Sequence, residues 1–262
     1  MFKQSIFILV LTALLAACGG GGGSSALPVT GVVAVGKPVQ GATVTITDAL
    51  GHTASTTTNA DGSYYINTTT MTPPLVVKAT LPASLGGGNL YSVSNSTTST
   101  VNVTPLTTVI AAVIAGGNPS TLTPQNVTAT NLTAATNYVA AVLAPALQAA
   151  GLPTTTNPIT SSFTANGSGL DSIIDNITVI PTTSGPPVLI NNASLSTTTS
   201  NPCSAASIAA NPTGCTVAVT LASSVATIPT VVPTVVATGV TTATTAPAAP
   251  PATGGTSGVI SF

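Results

Sequence analysis

The sequence predicts a mainly β protein: a small Greek-key-type β-sandwich, then an α+β region, then a disordered tail rich in Thr, Pro and Ala. Three observations predict it. From Val29 the apolar residues recur at every second position, punctuated by Gly, Pro and Asp-Gly pairs. Between Pro124 and Ala150 the apolar spacing becomes helical. From Ala222 onward Thr, Val, Pro and Ala dominate without a single charge. The boundaries are 1–17 for a signal segment, 18–28 for a tether, 29–104 for the sandwich, 105–221 for the α+β region and 222–262 for the tail.

Residues 1–17 carry Lys3 and then an apolar run from Ile6 to Leu15. Its length of about ten residues suits a signal-peptide core and falls short of the ~20 that a membrane-spanning helix needs. Leu15-Ala16-Ala17-Cys18 follows at once. That quartet resembles the lipobox of bacterial lipoproteins. The resemblance implies cleavage before Cys18 and a thioether-linked diacylglycerol on its sulfur, with an amide-linked acyl chain in most Gram-negative bacteria. The alternative is an ordinary signal peptide with a chance cysteine. Gly19 to Ser25 would then be a flexible tether, spanning roughly 15 Å on average. Two or more acyl chains give a stable hold, at about 0.8 kcal/mol per buried methylene. Position two of the processed chain is Gly19, not Asp. For Gram-negative lipoproteins that implies the outer membrane rather than the inner one.

Charge is scarce. The 262 residues contain no Arg and no Glu. After processing, Lys37 and Lys78 stand against Asp48, Asp61, Asp171 and Asp175, a net charge of about −2. Nucleic acid is excluded as a partner, because phosphate neutralisation needs clustered cations. Small Ala and Val dominate the apolar residues, so the core must be built from many small side chains. With Cys18 lipidated, Cys203 and Cys215 remain as an even pair, which in an oxidising compartment predicts a disulfide. It would stabilise by roughly 3 kcal/mol in the chain-entropy account. Zinc is the alternative, but two thiolates fall short of four ligands.

In the first unit, Val29, Gly31, Val33 and Val35 share one strand face, and Lys37-Pro38 ends the run. Ala42, Val44 and Ile46 form the inward face of the next strand. Asp48-Ala49-Leu50-Gly51 reads as a turn, Thr53 to Thr58 as a strand, and Asn59-Ala60-Asp61-Gly62 as a hairpin signal. Ser63 to Asn67 and Pro74 to Thr80 read as further strands. The run GVVAVGKPVQGATVTITDALGHTASTTTNADGSYYI is similar to the carboxypeptidase-regulatory-like family of prealbumin-type β-sandwiches. Its matching features are Gly31, Pro38-Val39, Gly41-Ala42-x-Val44, Gly51, Thr58 and Asp61-Gly62-x-Tyr64. The resemblance covers about residues 29–104 and implies a non-catalytic folding, spacer or interaction module. Tyr64 is expected in the core, with ligand stacking as the alternative.

In the second unit, Val109 to Ala115 before Gly116-Gly117 suits a short helix with a glycine stop. Leu132, Ala135, Tyr138, Val139, Val142 and Leu143 mark a longer helix, which Pro145 is expected to break or kink. Residues Phe163 to Val179 resemble a segment of bacterial lipoproteins of the form F-x-A-D/N-G-x-G-L-D-x-x-L-D-x-I-x-V. In those proteins it also follows a stretch like Asn102-Val103-Thr104-Pro105-Leu106-Thr107-Thr108. Asp171 and Asp175 lie four apart, on one face of a helix. The favoured reading makes Asp171 a helix cap and lets Asp175 bond a turn, with no metal and no cofactor. A calcium site built from Asn166, Asp171 and Asp175, helped by Ser168 and carbonyls, is the weaker alternative, since the spacing is not that of an EF-hand. Ile177–Ile180, Val188–Ile190 and Thr216–Leu221 read as strands of a small closing sheet.

Catalysis finds little support. The only histidine, His52, falls in a turn and reads as an exposed loop residue rather than a base. Metallocarboxypeptidase chemistry is excluded by one His with no Glu and no Arg. There is no G-x-S-x-G elbow and no P-loop. An aspartic-protease dyad lacks its glycine after Asp171-Ser172. The expectation is therefore a membrane-anchored, non-catalytic lipoprotein: a structural, adhesive or binding module of the cell envelope. Its partners would be the membrane, through the lipid, and an envelope protein or a carbohydrate. Alternatives are an accessory subunit of an envelope complex and, more weakly, a hydrolase using Asp171 and Asp175.

Overall fold

Alternation of small apolar and Thr residues gives the first strands. In β1 (Val29–Val32) and β2 (Thr43–Thr47) the inward positions are Val29, Gly31, Val44 and Ile46. The computed structural model describes residues 28–180, 188–191, 218–220 and 224–230. The remaining strands of the first unit are β3 (Thr53–Thr57), β4 (Ser63–Ile66), β5 (Leu75–Thr80) and β6 (Asn89–Ser94). They form two antiparallel sheets, β1–β4 and β3–β2–β5–β6. Residues 100–103 run parallel to β1 on its other side, through bridges from Thr30 to Thr100 and from Val33 to Val103.

The Asn59–Gly62 turn forms, but it does not make a hairpin of β3 with β4. β3 pairs with β2 and β4 pairs with β1, so the chain changes sheet there. Gly62 explains the change. Its φ is +76°, and its carbonyl accepts from Val33 N at 2.9 Å. A Cβ there would lie 2.5 Å from the Val33 oxygen, so only glycine lets β4 settle against the end of β1. Thr58 ties the other end of the crossing. Its hydroxyl donates to Val39 O at 2.6 Å and accepts from Ala42 N at 2.9 Å.

Helices α1 (Pro105–Ala115), α2 (Ala129–Ala149) and α3 (Leu170–Asn176) follow. The described chain is thus mixed α/β rather than mainly β; α2 alone has 21 residues. No described helix is long and apolar enough to cross a membrane. α1 starts four residues earlier than its apolar run, because Thr104 and Thr107 form a reciprocal capping box ahead of it, with Pro105 in the first turn. Gly116, at φ +86°, ends it as expected. The stretch Asn102–Thr108 thereby acquires a physical explanation. Buried Asn102 accepts from Val32 N and donates to Ser161 O at 2.8 Å, joining β1 to the 158–161 loop. Thr107 donates to Tyr91 O, and Thr108 accepts from Tyr91 N at 2.9 Å, which fastens α1 to β6.

α2 does not break at Pro145. Val142 and Leu143 before it and Ala146 and Leu147 after it are all fully buried. Packing on both sides of the proline holds the helix together despite the lost donor. The predicted closing strands exist as β7 (Ile177–Ile180), β8 (Val188–Asn191) and β9 (Ala218–Thr220), an antiparallel sheet in that order. The region read as tail has a structured beginning. Residues Val225–Thr227 form a 3-10 turn, and Val225 and Ile228 pack against the core. One buried cluster runs from Val29 through β6 and the helices to Ile174, without a gap at residue 104.

Tyr64 is a core residue, as expected. It is 3% exposed and its hydroxyl donates to Val101 O at 2.5 Å. Burial pushes that hydroxyl above the usual tyrosine range.

Candidate functional site

The turn after β2 places the histidine. Asp48 Oδ1 accepts from Leu50 N at 2.9 Å and His52 N at 2.7 Å, and Oδ2 accepts from Thr72 N at 2.9 Å. His52 Nδ1 lies 3.0 Å from the same Oδ2. Burial raises the Asp48 carboxyl, but the bonds from Thr72, His52 and Leu50 outweigh it and bring it from 3.8 to about 2. The imidazole is 62% exposed. The pair therefore shapes a turn and ties it to the strap before β5.

This pair predicts an acid limb. The folded value of Asp48 lies below the unfolded one, so its contribution is present above about pH 3.8 and lost as pH falls towards 2. Asp61, lowered by the Ser63 side chain and amide, adds with the same sign. The urea midpoint of the wild type is expected to fall between about pH 4 and pH 2, and to fall less steeply in Asp48→Asn. Equal slopes would remove the assigned role.

The second cluster centres on α3. Asp171 is 1% exposed and lies in the first turn of the helix, not at its cap. Its Oδ2 accepts from Gly167 N at 2.6 Å, a backward bond that closes the Asn166–Gly169 loop. Burial, with the Asp175 charge adding to it, pushes Asp171 up to about 7 against the pull of the Gly167 amide. Asp175 does not serve a turn through Oδ1, which is buried without a hydrogen-bond partner, as is Asp171 Oδ1. Burial raises Asp175 to about 6, opposed by the Lys37 charge. Its Oδ1 rests against Gly36, at φ +79°, where any Cβ would collide with it. Asn166 is exposed, and its side-chain oxygen accepts from Ser168 N at 3.1 Å.

Beside this loop lies a cleft of about 560 Å³, lined by Pro153, Asn157, Ser161, Phe163, Asn166 and Ser168 among others. Among the described residues no charged side chain lines it.

The structure brings Asp171, Asp175 and the 166–169 loop together, as their spacing suggested. Gly36 and Lys37, from the β1–β2 connection, are partners that sequence reasoning missed. Nothing in the local pattern around residue 36 signals a neighbour so far along the chain. Among the described residues no group of three or more His, Cys, Asp or Glu converges. Cys18, Cys203 and Cys215 lie outside the described residues. No family model, no curated protein and no solved structure matches the chain.

Proposed function

We propose that this chain is a lipid-anchored, non-catalytic lipoprotein of the bacterial cell envelope, acting as a structural, adhesive or binding module at the outer membrane. One observation carries the reading: the apolar run closed by Leu15-Ala16-Ala17-Cys18 and followed by glycines. In this reading residues 18–28 are the tether, and Val29, eleven residues after Cys18, is fully buried. That spacing suits a module held close to a bilayer rather than one displayed on a long stalk.

Strands β4–β1 and β3–β2–β5–β6 are the two layers of a prealbumin-type sandwich in this reading. Support comes from their inward side chains, Val29, Tyr64 and Ile66 from one layer and Val44, Ile46 and Leu75 from the other, which share one cluster. The non-catalytic assignment is supported by the work the polar groups already do. Asp48 and Asp61 hold turns, and Tyr64 is locked in the core.

Cell fractionation of Cys18→Ser tests the proposal. The wild type is expected in the envelope pellet, extracted by detergent and not by salt. The variant is expected unprocessed or released to the soluble fraction. Unchanged sedimentation and processing of the variant would end the lipoprotein reading.

A further inference from the structure

The cleft between α2 and α3 has walls that the fold itself holds in place. One wall is residues 152–164. Buried Asn102 pins it, its amide N–H donating to Ile159 O at 2.8 Å and its Nδ2 to Ser161 O at 2.8 Å. The other wall is residues 166–170. Asp171 Oδ2 accepts from Gly167 N at 2.6 Å, Asp171 N donates to Ser168 O at 3.1 Å, and the Ser172 hydroxyl donates to Gly169 O at 2.8 Å.

Two carboxamides on these walls are oriented by the backbone. Asn157 Oδ1 accepts from Ile159 N at 2.9 Å, and Asn166 Oδ1 accepts from Ser168 N at 3.1 Å. A backbone N–H is met only by the side-chain oxygen, so in each residue Nδ2 is the group left over, a donor in a set direction. Among the described residues neither Nδ2 has a protein partner, and nor do the hydroxyls of Ser161, Thr164 and Ser168. Phe163, half-buried against the core, lines the same cleft. The volume of about 560 Å³ falls in the range of small-molecule sites.

We propose that this cleft binds an uncharged oligosaccharide, with Asn157 Nδ2 and Asn166 Nδ2 donating to sugar oxygens and Phe163 meeting a C–H face of a sugar ring. The chemistry matches on three counts. Sugar hydroxyls both donate and accept, as do the Ser and Thr hydroxyls of the cleft, while the two amides supply oriented donors. The negative face of an aromatic ring attracts the weakly positive C–H groups of a pyranose. With no cation in the lining and the acidic Asp171 behind one wall, an anionic ligand finds nothing to neutralise it. Walls fixed in advance reduce the ordering cost of binding. The proposal names the ligand class for the binding module described above, and rests on that reading for the envelope setting where such glycans are met.

Titration of the ¹⁵N-labelled full chain with maltotriose, cellotriose, mannotriose and chitotriose tests it. The micelles should be lauryldimethylamine oxide, which has no sugar headgroup. At least one sugar is expected to shift the side-chain NH₂ signals of Asn157 and Asn166, with a dissociation constant of about 1 mM. Asn157→Asp and Asn166→Asp keep the oxygen that meets the backbone and lose the donor. Each should retain the wild-type melting temperature and bind about tenfold more weakly. Phe163→Ala should weaken binding by a similar factor, and the two Asp variants carry the test if it fails to fold. No shift with any of the sugars at ~10 mM overturns the site. So does equal binding by wild type and both Asp variants, or equal or tighter binding of trigalacturonic acid or of N-acetyl-trialanine amide, which would mark an anion or a peptide groove. The readout is independent of Cys18: a lipidated chain that binds no sugar loses only the cleft, and an unlipidated chain that binds sugar loses only the anchor.

Discussion

Gly31→Val is expected to destabilise the protein by roughly 4 kcal/mol, through overpacking and a lost buried hydrogen bond of about 1–3 kcal/mol each. Gly31 sits in the middle of β1 without a positive φ, so backbone conformation is not what requires glycine there. Space is. A Cβ would collide with the backbone carbonyl of Val101 and lie 2.9 Å from Cε1 of Tyr64. Those two groups are joined by the Tyr64 hydroxyl bond to Val101 O. A side chain at 31 therefore drives apart the parallel segment on one flank of β1 and the aromatic ring of β4 on the other. Against a domain stability of about 5–15 kcal/mol, that loss is large. Gly41→Ala is the control. Its φ is +78° but nothing lies within 4 Å of the added carbon, so only backbone strain of ~1 kcal/mol is expected. Urea unfolding of both variants checks the contrast; similar midpoints would contradict the packing account.

Leu143→Ala is expected to cost about 2–5 kcal/mol, the range for removing a fully buried Leu. Leu143 is 0% exposed on α2, in the cluster that also holds Ile110 of α1 and Val93 of β6. Because that cluster is continuous, the loss should lower a single cooperative transition for sheets and helices together. Amide hydrogen exchange of β2 and β5 on the sheet side and helical circular dichroism should shift in parallel. A helix signal that melts early while the sheet signal keeps its wild-type midpoint would show two independent units divided near residue 104.

The parts of the fold that were legible in the sequence are those where inward positions are apolar and regular. Ala42, Val44 and Ile46 announced β2 and its buried face. β6 was invisible because one of its inward residues is Ser92, fully buried with no hydrogen-bond partner for its hydroxyl, so the alternation of hydropathy fails there. The Asp-Gly turn was legible as a turn but not as a change of sheet, since pairing is decided by the contact of Gly62 with Val33, which lies far from the turn in sequence. Pro145 reads as an interruption, and burial on both sides overrides it. At the candidate site the four-residue spacing of Asp171 and Asp175 was legible, and the reading of Asp171 as a cap was not upheld. Asp175 Oδ1 rests against Gly36, which tertiary packing alone brings near.

The account stands on covalent lipid at Cys18, and intact mass spectrometry of the chain extracted from membranes addresses it most directly. The expected species lacks residues 1–17 and carries the mass of a diacylglyceryl group, with or without an added amide-linked acyl chain, on a peptide that begins at Cys18. A chain that retains those residues, or one that begins elsewhere with Cys18 unmodified, contradicts it.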